Sequence, residues 1–102
     1  MKFIVSSYSP NMIQATDFSL DWHQLNEEEF QALIYDAYSC VGHSDIAEVL
    51  NVAHNKEPVR ARPGDILLYA NMERGVLKFY CIIVQPSQRE LLREEELLQE
   101  MI

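Results

Sequence analysis

The sequence predicts an α/β fold: a single small domain with a mixed sheet of about five strands, two internal helices and a C-terminal helix. Three observations carry that prediction. Short apolar runs rich in branched and aromatic residues recur near residues 3–5, 66–70 and 76–84. Between them lie two segments, around Phe30 and around Ile46, whose apolar residues are spaced three and four apart. The chain of 102 residues supports one modest core and is too short for two.

Residues 2–7 read as a strand, because Phe3, Ile4 and Val5 form an unbroken apolar run suited to the inside of a sheet. Ser6, Ser7, Tyr8, Ser9, Pro10 and Asn11 follow as a polar loop, in which Pro10 turns Ser9 away from helical conformation. Its hydroxyls and amide either cap an ordinary turn or surround a ligand. Met12, Ile13, Phe18 and Leu20 alternate with polar residues, which predicts a second strand or extended segment ending near Asp21, Trp22 and His23. Asn26 with Glu29 then resembles a capping box in its asparagine form, and Leu25 with Phe30 a hydrophobic staple. Phe30, Leu33, Ile34, Ala37 and Tyr38 continue one buried stripe, predicting a helix over residues 27–38. Glu27, Glu28 and Glu29 suit the positive end of its dipole and read as a solvated helix start rather than a metal site.

Residues 39–41 are expected to form a brief strand feeding Gly42, His43 and Ser44. Ser44 reads as an N-cap, Asp45 occupies the first turn, and Ile46, Ala47, Val49 and Leu50 supply the inner face of a short helix over residues 45–53. Gly42 lacks a Cβ, so a backbone or ligand can approach, and His43 stands beside helix N–H groups that attract anions. An imidazole so placed suits phosphate chemistry. The plainer alternative is a tight strand-to-helix turn with His43 pointing into solvent. Val59, Arg60, Ala61 and Arg62 then alternate as a strand with one wet face. Pro63 and Gly64 form a turn that joins it in a hairpin to the strand over residues 66–70. Residues 71–75 form the next turn, and 76–84 the longest β-like run, expected centrally in the sheet. After Pro86, Ser87 and Glu90 make a capping box for an appended helix over residues 88–101. Glu95, Glu96 and Glu100 stand where the dipole prefers cations, so that helix needs packing on its own sheet or on another subunit.

The net charge of −8 argues against polymeric nucleic acid as a partner, since neutralising phosphates takes a basic surface. A small anionic ligand remains compatible, because the middle of the chain carries Lys56, Arg60, Arg62, Arg74 and Lys78. No apolar run approaches the roughly 20 residues of a membrane span, and the start does not read as a secretory signal. The expectation is a cytoplasmic protein without membrane attachment. Cys40 and Cys81 both lie in apolar runs, without metal-ligand spacing, and are expected as buried, reduced thiols. Neither a metal nor a cofactor is expected.

The order of these parts resembles the small viral ring nucleases, type III anti-CRISPR proteins that degrade cyclic tetra-adenylate. Four stretches carry the resemblance: residues 3–13 with Ser6, Ser9 and Asn11; 40–44 with Val41, Gly42, His43 and Ser44; 62–71 with Arg62, Pro63, Gly64, Asp65 and Asn71; and 75–84. The resemblance implies an α/β homodimer holding a nucleotide ring in a cleft between subunits, with no metal required. His43 matches the family's catalytic histidine, which protonates the departing 5′-oxygen while the adjacent 2′-hydroxyl attacks phosphorus. Ser9 matches the loop serine near the phosphate, Ser6 a position usually held by asparagine, and Asn71 a strand-end glutamine. Arg60 or Arg62 stands for an arginine reaching the ligand. Family members usually carry Arg-x-x-Glu-Gly after the strand matching residues 66–70, where this chain has Glu73, Arg74 and Gly75.

His43 is therefore the expected catalytic residue, with Ser6, Ser9, Asn11, Gly42, Ser44, Arg60, Arg62, Asn71 and Arg74 as expected ligand contacts. Three functions compete. One is a metal-independent phosphodiesterase acting on a cyclic oligoadenylate. Another is a binding module that sequesters a nucleotide signal or grips a host defence protein, for which the acidic residues 90–100 suit a basic partner. The third is an assembly protein whose interface is its only function.

Overall fold

In the computed structural model, which describes residues 1–87, the sheet is organised around the N-terminal apolar run. β1 (Lys2–Ile4) lies inside the sheet, parallel to β4 (Ile66–Glu73) on one side and to β3 (Tyr38–Ser39) on the other. β5 (Val76–Pro86) runs antiparallel to both β4 and β2 (Phe18–Leu25), giving the order β2-β5-β4-β1-β3. With α1 (Glu27–Ile34) and α2 (Ser44–Leu50), this five-stranded mixed sheet is the α/β architecture the sequence predicts. β5 is paired along both edges, but β4 takes the middle position. The expected C-terminal helix lies outside the described residues. Among the described residues no helix is long and apolar enough to cross a membrane.

Strand side chains alternate between faces, and both faces are covered. Ile4, Leu68, Phe79 and Cys81 receive Phe30 and Ile34 of α1 and Ala47 and Leu50 of α2. On the other face Phe3, Val5, Leu67, Ile82 and Val84 lie beneath Ile13, Val59 and Ala61, which come from irregular segments. Cys40 belongs to the second of these cores and Cys81 to the first, so the sheet separates two free, buried thiols. Burial pushes both thiols above the ordinary range, as expected of reduced structural cysteines.

α1 begins as its residues dictate. Glu29 N–H donates to Asn26 Oδ1 at 2.8 Å, Asn26 N–H donates to Glu29 Oε1 at 3.1 Å, and Leu25 packs on the core that holds Phe30. It stops at Ile34 rather than Tyr38, because Ala37 N–H closes a turn on Ile34 O and Tyr38 pairs with Phe3. Its last turn carries no basic residue to complement the helix dipole. Asn26→Ala is expected to cost about 1 kcal/mol, seen as a lower urea midpoint at unchanged slope.

Several boundaries move for tertiary reasons. β2 starts at Phe18, not near Met12, since Pro10 opens a 3-10 turn over Pro10–Met12 and Ile13 bridges Ala61. β3 covers Tyr38 and Ser39, while Val41 bridges His54. The expected hairpin between residues 59–62 and β4 does not form. Val59 and Ala61 are buried and Arg60 and Arg62 exposed, as the alternation predicts, but both edges of β4 are taken by β1 and β5. The turn itself is as read, with Asp65 N–H donating to Arg62 O at 2.9 Å and Gly64 at φ 102°. β4 also runs on through Asn71, Met72 and Glu73. The turn shrinks to Arg74 and Gly75, whose φ values of 52° and 78° suit a two-residue hairpin loop.

Candidate functional site

The parallel strands determine where a ligand fits. β1 has parallel neighbours on both sides, and in open α/β sheets ligands occupy the crevice outside the carboxyl ends of strands at such a switch. Ser6 follows β1 at this end, Gly42 and His43 follow β3, and Asn71 lies on β4 beyond Leu68, the register partner of Ile4. Here α2 and the β4–β5 hairpin enclose a cleft of about 310 Å³ lined by Ser6, Asp45, Ile46, Val49, Leu50, Ala70, Asn71, Met72 and Leu77.

Ser6 makes this cleft chemically distinctive. Its Oγ is buried and has no hydrogen-bond partner among the described residues, whereas buried hydroxyls are almost always bonded. The hydroxyl offers one donor and two acceptor sites at a mostly apolar wall. A second cleft, of about 340 Å³ between α1, β3 and the end of α2, differs in this respect. There Ser39 Oγ donates to Ala53 O at 2.5 Å, Asn55 Nδ2 donates to Ser39 O at 3.0 Å, and Tyr38 Oη donates to Glu57 at 2.5 Å. Those bonds tie the loop after α2 to the β3 edge and leave the Ser6 cleft as the candidate site.

His43 is exposed at the start of α2. It is the N-cap, with φ −108° and ψ 120°, and its carbonyl accepts the first helical bond from Ala47 N–H at 3.0 Å. Ser44, expected as the cap, is instead the first helical residue, and the His43 side chain makes no capping bond. The next residues, Asp45 and Ile46, line the cleft, so the imidazole sits on the chain that forms its wall. Gly42 contributes no close approach within the chain, since a Cβ there would meet nothing within 4 Å. Its carbonyl is 3.0 Å from His54 Nε2, and Val41 pairs with His54, so His54 pins the segment bearing His43. No local pattern in the sequence marks His54.

The other expected contacts lie apart from the cleft lining. Ser9 caps the 3-10 turn that contains Asn11, on a segment packed over the opposite face through Tyr8 and Met12. Arg60 is exposed beside Ala61 on that same covering segment. Arg62 donates its N–H to Asp65 Oδ2 at 2.9 Å just before β4 starts, at the far end of that strand from Asn71. Arg74 is exposed in the hairpin turn. The structure thus brings Ser6 and Asn71 into one cleft, with Gly42, His43 and Ser44 adjoining it, and does not bring Arg62 to them. Among the described residues no Lys or Arg lines the cleft, while Asp45 does. Among the described residues no three His, Cys, Asp or Glu side chains are grouped to hold a metal ion.

On the reverse face of the same hairpin Tyr69 and Tyr80 stack at 5.2 Å, and the Tyr80 hydroxyl donates to the Glu73 carboxylate. That bond holds the phenol proton and pushes its pKa up to about 12 from 10.0. Because the folded value is the higher one, the stabilisation is complete below pH 10 and lost as pH rises towards about 12. Glu73→Gln should return Tyr80 titration towards 10, read from phenolate absorbance against a Tyr80→Phe control.

No protein-family model matches the chain, and no curated protein matches it. Among solved structures it is similar to B116 of Sulfolobus turreted icosahedral virus, with a TM-score of 0.69 and 18% sequence identity. The match covers 80% of this chain and 97% of that one, and at such identity it is a likeness of fold.

Proposed function

We propose that this chain is a viral protein that binds a cyclic oligoadenylate at the Ser6 cleft and opens the ring with His43. The observation that carries the reading is the buried Ser6 hydroxyl, without a described protein partner, in a cleft whose wall continues directly into His43. Ile46, Val49, Leu50, Met72 and Leu77 offer apolar surface to a base, and Ser6 and Asn71 offer hydrogen bonds to its edge or its ribose. The fold likeness to B116, a viral protein, supports the viral assignment.

In the reaction, a ribose 2′-hydroxyl attacks the neighbouring phosphorus and the P–O5′ bond breaks. His43 as imidazolium gives its proton to the departing 5′-oxygen. The hydroxyl proton passes to solvent, and the product is a linear oligonucleotide with a 2′,3′-cyclic phosphate end. A second copy of the chain would present the same groups to the rest of the ring.

A second reading, sequestration without cleavage, is favoured by two features. Among the described residues none hydrogen-bonds the His43 ring to orient it, and Asp45 is the only charged residue lining the cleft. Incubation with cyclic tetra-adenylate in chelator-treated buffer separates the two. Linear products from the native chain and none from His43→Ala support cleavage. Tight binding without products by either protein assigns sequestration, and neither binding nor products overturns both readings.

A further inference from the structure

We infer, resting on ring opening by His43, that His54 is the positioning residue for that step: its imidazole holds the peptide unit between Gly42 and His43, and through it the direction in which the His43 side chain leaves the backbone. His54 lines neither cleft, so this role is separate from ligand contact.

His54 reaches its place because α2 ends abruptly. Asn51 takes the left-handed conformation at φ 56°, its N–H bonds Glu48 O at 3.1 Å, and Val52 N–H closes on Ala47 O at 3.0 Å, so the chain turns back at once. It then returns alongside the segment that follows β3. Val41 bridges His54, Asn55 N–H donates to Val41 O at 2.9 Å, and Asn55 Nδ2 donates to Ser39 O at 3.0 Å. On the other side Ala53 O accepts from Ser39 Oγ. With both neighbours tied, the His54 ring is carried to the Gly42 carbonyl, 3.0 Å from Nε2. A carbonyl only accepts, so Nε2 carries the proton in this bond, in the neutral ring and in the imidazolium alike.

The Cα–Cβ direction of a residue is set by the two planar peptide units that flank it. For His43 one of them is held by α2, through the bond from Ala47 N–H to His43 O at 3.0 Å. The other is the Gly42–His43 peptide, and Gly42 does nothing to hold it. Glycine has the widest torsional freedom, and a Cβ at this position would meet nothing within 4 Å. Among the described residues the His43 N–H and ring form no hydrogen bond, which leaves the His54 bond to Gly42 O as the outside restraint on that peptide. A general acid whose Cβ swings through about an ångström loses its line to the departing oxygen, and misplacement on that scale costs about 10²-fold in rate. Since His54 places the acid and not the Ser6 cleft, its loss falls on the chemical step and spares affinity.

Single-turnover cleavage of cyclic tetra-adenylate by the full chain tests this, with a binding isotherm and a thermal melt for each variant. His54→Leu, similar in bulk and without a donor, should slow cleavage about 10–100-fold while affinity stays within about threefold. His54→Gln, whose amide N–H can reach the position of Nε2, should recover most of the rate, and the shorter His54→Asn should not. The carbonyl carbon resonance of Gly42 reads the bond without reference to activity, and should move in His54→Leu and return in His54→Gln. A native chain that leaves the ring intact overturns the ring-opening reading and this role with it. Where the native chain cleaves, an unchanged rate in His54→Leu overturns the positioning role alone, as does His54→Gln as slow as His54→Leu or a Gly42 resonance that stays in place. Rate, affinity and melting temperature lost together would make His54 a structural tie of its loop, which also overturns it.

Discussion

Phe30→Ala is expected to lower the unfolding free energy by about 3–5 kcal/mol, the range for truncating a buried aromatic. Phe30 is fully buried, its ring centroid is 4.7 Å from that of Phe79, and it shares a core with Ile4 and Leu68 of the two central parallel strands. It is therefore the main attachment of α1 to the sheet, and an alanine leaves a void that the sheet backbone cannot close. Domains of this size are stable by only about 5–15 kcal/mol in total, and each kcal/mol moves the midpoint by roughly 4–8 °C. The variant should melt some tens of degrees lower, with urea unfolding giving the free energy directly. Leu33→Ala, at a half-buried position on the same helix, should cost clearly less. Equal losses at the two sites would mean that α1 presents a different face to the sheet.

His43→Ala is expected to slow ring opening by about 10²–10⁴-fold, the usual contribution of a positioned general acid. Stability should change by no more than about 0.5 kcal/mol, because the side chain is exposed and makes no capping bond. Binding of cyclic tetra-adenylate should stay within a few-fold, since Ser6, Asn71 and the apolar wall are untouched. The three measurements separate a chemical role from a structural one. A slower rate with an unchanged melt and unchanged affinity identifies proton donation, whereas parallel losses in all three would identify a misfolded loop. Turnover at the native rate would remove His43 from the chemistry.

What could be read along the chain was local. Asn26 and Glu29 lie three apart, so their reciprocal bonds form within one turn of helix and need no distant partner. Pro63 and Gly64 carry their turn in their own torsional limits, and the burial of Val59 and Ala61 beside exposed Arg60 and Arg62 follows from a period of two. The stretch from Gly42 to Ser44 was legible as a strand-to-helix junction for the same reason, down to a one-residue error in the cap.

Partner choice had to wait for the folded molecule. Residues 59–62 carry a strand pattern and form no ladder, because β4 finds β1 and β5 instead, and a pattern of alternation does not say against what a strand will lie. The candidate site is of the same kind. Ser6 and Asn71 reach one cleft only because Ile4 registers with Leu68, and Arg62 is carried to the other end of β4 by the same pairing. The amino-acid order by itself determined which residues turn, cap and face inward, since those choices are settled by torsions and bonds between near neighbours. The tertiary structure alone decided which strands are adjacent and which polar groups share a cleft, since that depends on contacts between segments as distant as Lys2 and Ile66, whose competition no local pattern records.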